Sequence, residues 1–148
     1  IIGPWDGFTK KLKEIIKISP LIPVPGDGRA KFQPVYINDW VKCVLGLISS
    51  PESLKGTFDI GGPQHLEYNE MIRMLADALK SQKPVTHIPM SLMKLGASIA
   101  EKTIPFLPVT SDQLRLLEMD NICDIHSVEK HFGFKPIGYA EALKKFIK

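Results

Sequence analysis

Four groups of residues in this chain could carry chemistry. The first is Gly61-Gly62, which ends the β-prone stretch Thr57 to Ile60 and precedes a helical pattern. Glycines at such a junction cradle a phosphate when several N–H groups converge on one anion at a helix N-terminus. Here Pro63 removes one donor, and Gln64, His65 and Leu66 delay the helix. Neither G-x-G-x-x-G nor G-x-x-x-x-G-K-[ST] is present. The pair is therefore expected to be structural, letting the chain leave a strand end in a conformation that suits glycine. The second group is Gly26 to Phe32, a glycine-rich turn carrying Arg29 and Lys31. These cations could meet an anionic ligand. The turn follows a proline-rich extended segment rather than a strand, so a solvated basic turn is the plainer expectation.

The third group is Cys123, Asp124, His126 and His131. Zinc sites favour C-x₂-C with H-x₃₋₅-H, and this spacing departs from that pattern, so no metal site is expected. The fourth is the pair His65 and His87. His65 has the better position, near the C-terminal edge of a strand, where open α/β sheets place ligands. No G-x-S-x-G elbow occurs, the serines fall at loops and caps, and no residue is assigned a catalytic role.

The elements that position these groups follow from periodicity. Ile1-Ile2 is strand-like and turns at Gly3 to Gly7. Phe8, Leu12, Ile15 and Ile16 then have helical spacing, with Asp6 as N-cap. Pro20, Pro23 and Pro25 forbid a continued helix, so Ser19 to Phe32 is expected to be an extended loop with a turn at Gly26-Asp27-Gly28. Pro34 to Ile37 reads as a strand. Asn38 or Asp39 caps the next helix, whose apolar face is Trp40, Val41, Val44, Leu45 and Ile48. Residues 49–56 read as a loop and Thr57 to Ile60 as a strand. Tyr68 to Lys80 reads as a helix with Met71, Ile72, Leu75, Ala78 and Leu79 inward, and Pro84 to Ile88 as a further strand.

Strands alternating with helices predict an α/β fold with a parallel sheet. After Pro89 the pattern is mostly helical. Ser91 to Lys102 forms an amphipathic helix covering a groove or a partner, and Thr110 and Gln113 have capping-box spacing. Asn121 to Ile125 makes a short strand, Gly133 stops a helix, and Tyr139 to Lys148 makes the last one. The expected division is 1–89 and 90–148.

One domain is the default at 148 residues, and 44% hydrophobic residues suffice for a core. The net charge of +3 is spread along the chain, so nothing calls for nucleic acid. Cys43 and Cys123 read as free thiols in a reducing compartment, a single disulfide being the lesser alternative. No apolar run reaches the ~18 residues of a membrane helix. The first residue is Ile1, in what reads as the end of a core strand, so the chain is expected to be a piece of a longer protein. Its open sheet edge would then invite homodimerisation.

Four stretches, "IIGPWDGF", "FQPVYINDWVKCV", "GTFDIGGPQHLEYNEMI" and "DNICD…HFGFKP", together resemble the C-terminal portion of NAD(P)-dependent epimerase/dehydratase proteins. These form part of the extended and atypical short-chain dehydrogenase/reductase superfamily, and the branch closest in flavour is that of the complex I nucleotide-binding accessory subunit. The resemblance spans Ile1 to about Phe146. It implies the C-terminal part of a Rossmann-like parallel sheet with a small, mostly helical lid, NAD or NADP in the intact protein, and none in this piece.

The resemblance also implies that the family's phosphate-binding turn and Tyr-x-x-x-Lys pair lie upstream; none of Tyr36, Tyr68 and Tyr139 has a lysine four residues on. Gly3 and Pro4 would flank the cofactor. Trp5, Phe8, Arg29, Phe32, Gln33, Tyr36, Gln64 and His65 would line the substrate cleft, and Asp39 would be a cap. Phe32 stands where nucleotide-sugar enzymes carry an arginine, which sets this chain apart from them. Two functions follow as expectations. One is the substrate-binding half of an oxidoreductase or epimerase; the other is a non-catalytic assembly module. The partner would be the N-terminal half, and the location cytoplasmic or peripheral to a membrane complex.

Overall fold

The computed structural model describes residues 1–49, 56–103 and 111–147. Helix α1 (Gly7–Ile18) starts where the Asp6 carboxylate accepts from the Thr9 N–H at 2.6 Å and, with its other oxygen, from the Gly3 N–H at 2.9 Å. Its apolar side, with Leu12 and Ile16, is buried. Before it, Ile2 makes an isolated parallel bridge to Tyr36.

The proline-rich segment contains a strand where a loop was expected. β1 (Ile22–Pro25) pairs in parallel with β4 (Val85–Ile88), Ile22 opposite Val85 and Pro25 opposite Ile88. The Ile22 N–H donates to the Pro84 carbonyl and the Gly26 N–H to that of Ile88, both at 2.8 Å. Donors to one neighbour come from alternate residues, so Pro23 and Pro25 fall between them and leave this ladder intact.

β2 (Lys31–Phe32) pairs antiparallel with β3 (Leu66–Glu67), and Phe32 also bridges to Asn121. The expected strand at Pro34 to Ile37 reduces to the single bridge at Tyr36. Thr57 to Ile60 forms no ladder among the described residues. Its Phe58 ring instead meets His131 and Phe132 edge-on. Asn121 to Ile125 likewise contributes one bridge. The loop at 49–56 and the capping box at Thr110 lie largely outside the described residues.

Helix α2 (Ile37–Ser49) begins two to three residues earlier than a cap at Asn38 or Asp39 would require. Asp39 lies inside its first turn and is buried, accepting from the Ile137 N–H at 2.9 Å and pairing with Lys42 at 2.9 Å. It is thus a strut to the C-terminal segment rather than a cap. The expected apolar face is also not the buried one: Val41, Leu45 and Ile48 are exposed, and Asp39 and Cys43 are inside.

Helix α3 (Tyr68–Ala78) opens with a capping box between Glu67 and Glu70 and buries Met71, Ile72 and Leu75. After β4 come α4 (Met90–Thr103), α5 (Ser111–Leu116) and α6 (Ser127–Phe132), the last stopped by left-handed Gly133 at φ 70°. α7 (Tyr139–Phe146) buries Tyr139, Ala142 and Leu143 in the same core as Ile16, Ile22, Val24 and Leu75. The fold is α/β with parallel strand pairing.

Candidate functional site

A cavity of about 530 Å³ opens between α1, β1, β2 and residues 116–121. Phe8, Leu12 and Ile15 form the α1 wall, and Pro23 and Pro25 the β1 wall. Phe32, Gln33 and Pro34 close the next side, with Tyr68 and Met71 of α3 and Leu116, Leu117 and Asn121 completing the lining. Met93 is the lining residue contributed by α4. Tyr68 anchors the aromatic part, with Phe8 edge-on at 6.3 Å and Phe32 tilted at 6.1 Å between ring centroids. Burial pushes the Tyr68 phenol above its ordinary pKa, so it stays a neutral hydroxyl.

The lining has one charged side chain, Lys11, and no acid. Its two amides are already engaged. Gln33 donates to the Gly62 carbonyl at 2.8 Å and accepts from the Cys123 N–H at 2.6 Å. Asn121 donates to the carbonyls of Leu116 and Met119. The cavity is therefore built to hold apolar matter.

Among the anticipated cleft residues, Phe8, Phe32 and Gln33 come together here. The others lie elsewhere. Trp5 is 93% exposed. Arg29 is exposed on a turn closed by its own N–H to the Asp27 carboxylate at 3.1 Å. Tyr36 stacks on Phe146 with ring planes 2° apart. Gln64 accepts from the Tyr139 N–H at 3.2 Å, capping α7, and His65 bonds the Cys123 carbonyl at 2.8 Å. Lys11, Tyr68, Met71 and Leu117 were not anticipated. Periodicity places them on helices or next to them but cannot tell a cavity wall from a core face.

Gly61-Gly62 is a corner, for a reason other than backbone conformation. Neither glycine has a positive φ. A Cβ on Gly62 would sit on the Pro34 carbonyl oxygen, and one on Gly61 would meet the Gln33 amide. Close backbone approach selects glycine at this point. At Gly28, by contrast, φ is 66° and a Cβ would strike Asn69. The Asn69 side chain donates to the Asp27 carbonyl at 2.8 Å and meets His87 Nε2 at 3.0 Å. The turn is thereby tied to the start of α3.

Gly3 and Pro4, the anticipated neighbours of a cofactor, lie in the turn before α1. The Gly3 N–H is taken by Asp6, and a Cβ there would meet Ile37 Cγ2 at 2.7 Å.

Both cysteines are free, Cys43 buried and Cys123 half-buried. Burial raises both thiol pKa values first, with help from Asp39 at Cys43 and from Asp59 and Asp124 at Cys123. Neither is poised as a nucleophile. Among the described residues no cluster of His, Cys, Asp and Glu could hold a metal ion, and no helix is long and apolar enough to cross a membrane.

No protein-family model matches the chain. It is 24% identical over 123 residues to NADH dehydrogenase [ubiquinone] 1 alpha subcomplex subunit 9, mitochondrial, of Arabidopsis thaliana; the match covers 82% of this chain and 29% of that protein. Among solved structures it is similar to UDP-glucose 4-epimerase of Thermotoga maritima bound to UDP-glucose, with TM-score 0.65 and 18% identity, covering 99% of this chain and 41% of that one. It is similar also to RMD of Pseudomonas aeruginosa complexed with NADPH, with TM-score 0.63 and 14% identity, covering 99% and 44%. Other matched structures are complexes with NAD. The chain thus spans less than half the length of these proteins and has the fold of their C-terminal-like portion. The resemblance drawn from its motifs, to epimerase/dehydratase proteins and to the complex I accessory subunit, holds.

Proposed function

We propose that this chain is the ligand-binding, substrate-side portion of an NAD(P)-dependent epimerase/dehydratase-like protein and is not catalytic alone. The observation that carries this is the cavity gathering Phe8 of α1 with Phe32 and Gln33 at the end of β2. The chain has no tyrosine with a lysine four residues on, the pair that trades a proton as hydride moves. In this reading NAD or NADP is held by residues of the missing N-terminal half, residues 1–89 complete the α/β unit, and 90–148 form its lid. The protein works in a reducing compartment, cytoplasmic or peripheral to a membrane complex.

Calorimetric titration of NADH and NADPH into this chain and into the longer gene product tests it. Silence from the chain and binding by the longer protein is expected. Micromolar binding by the chain itself would overturn the split.

A second reading, a non-catalytic assembly module, is favoured by one observation. Val41, Leu45 and Ile48 make an exposed apolar stripe on α2, at 40%, 55% and 68% exposure. An uncovered stripe of that kind marks a contact surface. The curated relative is itself a subunit of a larger complex by name.

A further inference from the structure

The polar complement of the cavity is far smaller than a nucleotide sugar requires. A diphosphate is held by several cations or free N–H donors. Here the lining side chains supply one ammonium, on Lys11, the Tyr68 hydroxyl, and two amides whose hydrogen bonds are already made to backbone, with the Ile1 amino group also at the lining. Among the described residues Lys11 has neither ion pair nor hydrogen bond. A lysine left without a partner beside an apolar cavity is a site for one anionic group on an otherwise apolar body.

We propose that this cavity binds an amphiphile with a single anionic head, a long-chain carboxylate, with the head at Lys11 and the chain along Phe8, Ile15, Phe32, Met71 and Leu117. The lining suits it throughout. The prolines, aliphatic side chains and methionines meet a flexible chain without needing hydrogen bonds, and methionine adapts to variable shape. Around Tyr68 the rings meet edge-on and tilted, so they do not form the parallel faces that would sandwich a base. The head gains charge–charge attraction near the surface, where Lys11 is half-buried. This specifies the ligand class of the binding role proposed above and rests on it.

The test is calorimetric titration of the full chain with dodecanoate, 1-dodecanol and UDP-glucose, below the micelle concentration of the acid. Dodecanoate should bind tightly, dodecanol about tenfold more weakly, and UDP-glucose not at all. Lys11→Gln should bring dodecanoate down to the level of dodecanol and leave dodecanol unchanged. Ile15→Trp, which fills the cavity from a half-buried position, should abolish both while the far-UV spectrum stays native. Binding of UDP-glucose without dodecanoate would overturn the amphiphile and leave the binding role standing. Silence toward all three would overturn both. Dodecanoate binding that Lys11→Gln does not weaken would overturn the placement of the head.

Discussion

Asp39→Ala is the perturbation whose size the structure sets best. The carboxylate is 2% exposed and joins two distant parts of the chain. One oxygen accepts from the Ile137 N–H at 2.9 Å and the other faces Lys42 at 2.9 Å. A hydrogen bond to a charged acceptor contributes about 1.5–3 kcal/mol net, and its loss leaves the half-buried Ile137 donor unsatisfied. The Lys42 pair adds at most about 1 kcal/mol, because the lysine side chain is 60% exposed and solvent screens it. An acid in the first turn of α2 adds a few tenths through the helix dipole. Asp39→Ala should therefore cost about 2–4 kcal/mol, Asp39→Asn about 1, and Lys42→Met under 1. Urea unfolding followed by far-UV circular dichroism reads this as a midpoint lowered by roughly 1–2 M for the alanine variant. An alanine variant within ~0.5 kcal/mol of the parent, or Lys42→Met costing as much as Asp39→Ala, would refute the strut.

Four further outcomes follow from the same geometry. Gly62→Ala should fail to fold or lose at least ~3 kcal/mol, because its Cβ meets immobile backbone at Pro34; Gly61→Ala should lose about 1–3 by displacing Gln33 and its two bonds. A midpoint for Gly62→Ala equal to that for Gly61→Ala in urea would contradict this. Tyr139→Phe should be neutral or stabilising by up to about 1 kcal/mol, since the buried hydroxyl has no hydrogen-bond partner; a loss above that in thermal unfolding would show a hidden partner. Tyr68 and Tyr139 have phenol pKa values raised by burial, so their contribution to stability is full below the ordinary tyrosine pKa of ~10 and falls as pH climbs above it. Their phenolate absorbance should appear only together with unfolding, and phenolate signal from both in the native protein would contradict the burial. The exposed α2 stripe should make the isolated chain self-associate, and a monomer at every accessible concentration in the ultracentrifuge would rule this out.

What could be read without coordinates divides along physical lines. Helices α1, α3 and α6 were each legible by a local signal: Asp6 before Phe8 as the cap of α1, an apolar stripe at Met71, Ile72 and Leu75 in α3, and Gly133 ending α6. Strand β4 was legible as a β-branched run. β1 was hidden by its prolines, because proline content argues against a ladder only when the missing donors face the partner, and facing depends on register. Pro34 to Ile37 and Thr57 to Ile60 have strand composition, yet pairing is a property of two segments, and each finds at most one bridge. At α2 the period correctly marks an apolar stripe, but a stripe only shows that cover is wanted; within this chain the covered side carries Asp39 and Cys43. Of the expected cleft residues, Phe8, Phe32 and Gln33 share the cavity while Gln64 and His65 are engaged with backbone. A polar side chain quoted in a motif does not reveal whether its hydrogen bonds face a ligand or a neighbouring loop.

That division also fixes the character of the site. The corner at Gly61-Gly62 and the segment from Asn121 to Ile125 lack extended ladders, so their backbone groups need partners from side chains. Gln33, His65 and Asn121 meet that need, and Gln64 does the same for α7. At Gln33 and Asn121, which line the cavity, these bonds engage polar groups that a ligand would otherwise meet. Prolines in β1 place rings rather than donors on the opposite wall. A cavity enclosed by side-chain-braced loops and a proline strand is thus mainly apolar by construction, and Lys11, on a helix that needs no such bracing, is the one charged side chain in its lining.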